Sequence, residues 1–143
     1  MTRINSAIKV KFLTDEHLLA EHREIKRSPS VYKKRIDSVR GFNGIPKEFT
    51  LGTCHVLFFI NKGTFTLDRY IEIRNECIRR GFNVEDYRKN WLVYNVFNDY
   101  IPTKNEFNLL VERISERILN TTKPYWYYYG KKISKEDAIK LLK

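Results

Sequence analysis

The 143-residue chain has two cysteines, Cys54 and Cys77, a single methionine, and no apolar run longer than five residues. Two cysteines make no disulfide framework, so a reducing, cytoplasmic compartment is expected. The longest apolar run, Val56-Leu-Phe-Phe-Ile60, falls far short of the ~20 residues that span a bilayer. The opening residues, Met1-Thr2-Arg3-Ile4-Asn5, lack the apolar region of a signal peptide, and no membrane partner is expected. Glycine-rich loops of the P-loop or dinucleotide-binding kind are missing, as is the serine nucleophile elbow. His17 and His22 are five residues apart and do not share a helix face, while Cys54 and His55 are adjacent with no second pair. That spacing offers no zinc site, so neither metal nor cofactor is expected. There is no internal repeat or low-complexity linker, and strand signals are sparse.

What is present is a globular composition, 42% hydrophobic and 31% charged. The length suits one domain spanning 1–143 with one sizeable core. The formal charge is +10, and it is unevenly placed: residues 1–40 carry net +5, residues 121–143 net +4, and the eighty residues between them net +1. If folding brings the two ends together they form one positive face, which fits nucleic acid better than a charge that merely confers solubility.

Helix signals dominate. Thr14 is an N-cap followed by Asp15 and Glu16, which complement the helix dipole. Ser28-Pro29 either restarts this helix, with Ser28 as cap, or kinks it on its way to about residue 39. Residues 54–60 form a buried knot that periodicity leaves open between a strand and a short helix. A second helix is predicted over about 64–80, stopped at Arg79-Arg80-Gly81. A third follows the capping box Thr103-Lys-Asn-Glu106, with Phe107, Leu110, Val111, Ile114 and Ile118 at helical spacing. A tail helix begins near Ser134, and residues 133–143 read as an appended tail. The fold class is mostly α.

Three features carry chemistry. On the first helix His17, Glu21 and Glu24 share a face, and Arg23 and Arg27 are four apart, so a carboxylate sits among cations. The bland counterpart is a solvated helix laced with surface pairs. Pro124-Tyr-Trp126-Tyr127-Tyr-Tyr-Gly-Lys131-Lys puts five aromatics beside two lysines, suited either to stacking on bases beside bound phosphates or to closing the core. Thirdly, Thr2 is small, so Met1 is removable and the exposed α-amine, with a pKa of about 7.7–8.0, is partly uncharged near neutral pH and nucleophilic. Every chain has a terminus, and most do nothing.

These residues together carry a resemblance. Met1-Thr2-Arg3-Ile4-Asn5, His17-Leu-Leu-Ala-Glu21-His-Arg23-Glu24, Gly52-Thr-Cys-His55-Val-Leu-Phe-Phe, Glu76-Cys-Ile-Arg-Arg-Gly-Phe-Asn83, Asp99-Tyr-Ile-Pro102 and Trp126-Tyr-Tyr-Tyr-Gly-Lys131 are similar, in order, to the motifs of pyrimidine-dimer DNA glycosylases. The resemblance implies a compact three-helix single domain with aromatic-rich loops. It implies a monomer that binds DNA without metal or cofactor and acts at cyclobutane pyrimidine dimers in duplex DNA. It further implies glycosidic cleavage followed by abasic-site lyase chemistry, with the Thr2 α-amine as nucleophile and Glu24 as the essential carboxylate. Arg3, His17, Arg23 and Arg27 would surround the lesion, and Trp126, Tyr127 and Lys131 would contact DNA. The competing expectations are a broader abasic-site lyase and a non-enzymatic architectural DNA-binding protein.

Overall fold

The computed structural model describes residues 4–52 and 54–143. Its helices are α1 (Asp15–Ile25), α2 (Ser28–Ile36), α3 (His55–Phe58), α4 (Gly63–Arg79), α5 (Lys104–Asn120) and α6 (Lys135–Leu141). A hairpin of β1 (Tyr125–Tyr128) and β2 (Lys131–Ser134) lies between α5 and α6, and 3-10 turns cover Val10–Phe12 and Arg88–Val93. The architecture is mostly α, as the periodicity predicts.

Helix starts follow their caps. The Thr14, Thr103 and Ser134 hydroxyls accept the backbone N–H of His17, Glu106 and Asp137 at 3.2, 3.1 and 3.1 Å. The α4 stop is equally local: Gly81 takes φ +86°, so Phe82 N–H reaches back to Cys77 O and Gly81 N–H to Ile78 O. The two open readings around Pro29 and residues 54–60 resolve as a helix restart and a short helix. The restart begins one residue earlier than expected, with Ser28 inside α2 and Arg27 as a cap that makes no side-chain bond. Lys26 and Arg27 keep αR dihedrals, so the backbone stays near-helical across the junction.

The hairpin is the element periodicity does not predict. Tyr125 pairs with Ser134 and Tyr128 with Lys131, closing on Tyr129 and Gly130 at φ +52° and +76°. Tyrosine is strained in that region. The turn is nonetheless held, because Tyr129 and Gly130 N–H both donate to the Asp15 carboxylate at 3.0 and 2.9 Å.

The core gathers Leu18 and Ile25 from α1, Tyr70, Ile73 and Cys77 from α4, and Leu110, Ile114 and Ile118 from α5. Ile4 and Ile8 of the N-terminal segment lie within it, fully buried. Ala138 and Leu142 are buried as well, so α6 packs into the same core, against α5. Gly63 has no room for a side chain: a Cβ there would meet Val96 O at 2.5 Å.

Candidate active site

The site is built on α1, whose carboxylates have divided fates. Asp15, besides holding the hairpin turn, accepts from the Arg80 guanidinium at 3.0 Å. Glu16 accepts Tyr127 N–H at 3.0 Å and pairs with Lys123. Glu21 is fully buried and receives both Nε and Nη2 of Arg69, at 2.8 and 3.0 Å. Only the last of the four acids, Glu24, lacks such a commitment among the described contacts. Its ion pair with Arg27 is long, 3.6 Å, and Arg27 itself is 70% exposed. Arg23 is exposed beside it. The sequence pattern put Glu21 and Glu24 on one face as equals; burial and Arg69 separate them.

His17 lies two turns earlier on α1. Its ring stacks on Trp126 at 5.0 Å and 12°, and its Nδ1 lies 2.8 Å from the Thr14 hydroxyl. Burial pushes its pKa down to about 4; Arg117 and Lys123 push the same way and Glu16 opposes them. At neutral pH His17 is therefore an uncharged ring, able to hydrogen-bond and stack but not to neutralise a phosphate. His22 is shifted downward too, first by burial and then by Lys26, Arg74 and Arg23. The cations at this end of α1 thus crowd one another.

The fold does unite the two basic ends of the chain. The hairpin seats on the N-terminal end of α1 through Asp15 and Glu16, and Tyr128 OH donates to Lys11 O at 2.7 Å. The acids are spent in the seam, which leaves Lys131 and Lys132 exposed on the hairpin. Alternate rings face opposite ways. Trp126 turns inward to His17, while Tyr125 and Tyr127 meet edge to face at 5.6 Å, with the Lys132 ammonium 4.4 Å from the Tyr125 ring. Asp15 to Glu24 is about 13 Å along a helix axis, so Lys131 sits near one end of α1 and Glu24 near the other. Thr2 and Arg3 lie outside the described residues.

A family model for pyrimidine dimer DNA glycosylase matches residues 1–90, which include α1 to α4. The chain belongs to the pyrimidine dimer DNA glycosylase family. It is therefore a DNA repair glycosylase whose substrate is DNA, and the matched stretch contains His17, Arg23, Glu24 and Arg27.

Sequence reasoning missed the residues that hold this glycosylase's N-terminal segment. Arg69 Nη1 donates to Ile8 O at 2.6 Å while the same guanidinium grips Glu21, fastening the segment to α1 one turn before Glu24. Arg80 donates to the carbonyls of Leu13 and Val10 at 2.8 and 3.2 Å. Glu106, predicted to complete a capping box, instead accepts from Ser6 Oγ and Tyr100 OH. A buried arginine leaves no mark in hydrophobic periodicity, so these partners have no local signal. Among the described residues, no three His, Cys, Asp or Glu side chains converge where an ion could sit, and no helix is long and apolar enough to cross a membrane.

Proposed function

We propose that this glycosylase acts on cyclobutane pyrimidine dimers in duplex DNA and then cuts the strand as an abasic-site lyase, using the α-amine of Thr2 after removal of Met1. The whole chain, 1–143, works as one unit, as an intracellular monomer. The uncharged amine attacks C1′ of the dimer's 5′ nucleotide as the glycosidic bond breaks, and the electron pair leaves with the base, which takes up a proton. The nitrogen loses a proton, and its lone pair then forms the C1′=N bond as C1′–O4′ breaks and O4′ takes up a proton, leaving a protonated imine that joins protein to C1′. Removal of a C2′ proton then forms the C2′–C3′ double bond and expels the 3′ phosphate. Water hydrolyses the imine and frees the amine.

Glu24 offsets the positive charge that grows on the sugar as the base departs, and it handles protons in the elimination. Arg3, Arg23 and Arg27 hold flanking phosphates, for which their planar donor forks suit. His17 lies by the lesion as a neutral ring, and Trp126, Tyr127 and Lys131 extend the DNA contact along the hairpin. The observation that carries this reading is the division among the α1 carboxylates: Asp15, Glu16 and Glu21 are taken by structural partners, while among the described contacts Glu24 has one long ion pair, to the exposed Arg27.

Borohydride trapping on dimer-containing and abasic duplexes tests it. The expected result is a covalent adduct on both substrates, mapping to Thr2 and lost when Met1 is retained or the terminus is acetylated. An adduct on a lysine excludes Thr2 as nucleophile. Trapping on abasic DNA alone supports the broader lyase, and binding without trapping supports the architectural protein.

A further inference from the structure

Three contacts grip alternate residues of the N-terminal segment: His55 at Ile4, Glu106 at Ser6 and Arg69 at Ile8. They come from α3, α5 and α4, so three helices hold the segment. The His55 contact is the one nearest the terminus. Ile4 N–H donates to His55 Nε2 at 3.0 Å, and His55 Nδ1 lies 2.9 Å from Thr50 O. A carbonyl can only accept, so Nδ1 carries the proton and Nε2 presents a bare lone pair to Ile4. The imidazole is 2% exposed and meets the rings of Phe49 and Phe59 edge to face, each at 5.4 Å. Ile4 is fully buried, so without His55 its amide would face the core with no water to take its place.

We propose that His55 is a positioning residue for the amine chemistry, fixing the backbone at Ile4 so that the first residues of the mature chain are aimed from a set point. The proposal rests on the reading of Thr2 as nucleophile. Thr2 is two residues from Ile4, and two residues span at most ~7 Å. An anchor at Ile4 therefore confines the amine to a small volume, whatever path those residues take. Freeing that anchor leaves Arg23, Arg27 and Lys131, which lie on other elements, in place and degrades the approach to C1′, where misplacement by ~1 Å costs about a hundredfold in rate.

Two substitutions separate positioning from packing. His55→Phe keeps an aromatic ring between Phe49 and Phe59 and deletes the acceptor. His55→Gln deletes the ring and retains an acceptor oxygen near the Nε2 position. The expected result, from single-turnover rates on an abasic duplex with Kd and melting temperature measured alongside, is a loss of about a hundredfold for His55→Phe with Kd within about threefold. His55→Gln should recover all but about fivefold of the wild-type rate even if it melts earlier. If packing is what matters the order reverses, with Phe the more active, and that overturns the proposal. Equal losses in two folded variants overturn it as well. If His55→Phe does not fold, His55→Gln decides alone: a folded Gln variant slowed about a hundredfold contradicts the role of the acceptor. Mapping the trapped adduct in wild type distinguishes the two readings. An adduct on a lysine removes both, whereas an adduct on Thr2 with an undiminished His55→Phe rate removes this one only.

Discussion

The two ends of α1 are built from similar residues and are held differently. At the N-terminal end Asp15 and Glu16 are saturated by the hairpin, Arg80 and Lys123, and His17 is stacked under Trp126. At the C-terminal end Arg23 and Arg27 are exposed, and Glu24 has a loose 3.6 Å pair. A carboxylate locked into several hydrogen bonds is a structural group whose charge is already answered. One left among exposed cations can answer charge that develops on a substrate. On one helix, then, the contacts among the described residues divide the carboxylates held by the fold from Glu24, the one we propose for the chemistry.

The comparison can be broken at its boundary, Glu21, where the largest effect on stability is expected. Glu21→Gln leaves the Arg69 guanidinium buried without its charge partner, and urea melts should show a loss of about 3–5 kcal/mol. A loss under about 1 kcal/mol would mean that Glu21 is no more structural than a surface pair. Asp15→Asn comes next, because the amide has one acceptor oxygen for the two turn N–H groups and Arg80. It should cost about 1–3 kcal/mol, and near-UV circular dichroism should report release of the aromatic hairpin.

The locked end should also sense acid. His17 titrates near 6.5 when unfolded and about 4 when folded, so between those values the unfolded chain binds more protons. Stability from this residue is complete above about pH 6.5 and is lost as pH falls towards 4. The loss should reach about 2 kcal/mol by pH 5. His17→Phe, which keeps a ring against Trp126, should flatten that slope in melts run from pH 7.5 to 5. The smallest effect belongs to Arg27. Arg27→Glu should leave melting unchanged and make the log–log salt dependence of binding shallower by about 0.9, one phosphate contact. Damaged and undamaged duplexes should respond alike; a change confined to damaged DNA would make Arg27 a lesion contact.

Local chemistry was legible in the sequence. The caps at Thr14, Thr103 and Ser134 and the stop at Gly81 all bond as their spacing predicts, because a cap is settled within four residues. What was not legible depends on distant partners. The hairpin turns on Tyr129-Gly130, a weak turn signal, and is held by Asp15 from 114 residues away. Glu21 is separated from Glu24 by Arg69, 48 residues downstream. The Glu106 carboxylate turns to Ser6 and Tyr100, while its N–H keeps the Thr103 half of the capping box. At the candidate site the residue types were readable on α1. Which of them find structural partners among the described residues, and what grips the N-terminal segment, only the packed core decides.

The division between the two ends of α1 is tested most directly by Glu24→Gln, which keeps size and removes charge. On dimer-containing duplex the single-turnover glycosylase rate should fall by about 10²–10³. Gel-shift affinity should stay within about tenfold, a change of at most ~1.4 kcal/mol, and the melting curve should overlay that of wild type. Wild-type cleavage by the folded variant would contradict the account, and so would a rate loss matched by an equal loss of stability, since Glu24 would then be one more structural carboxylate.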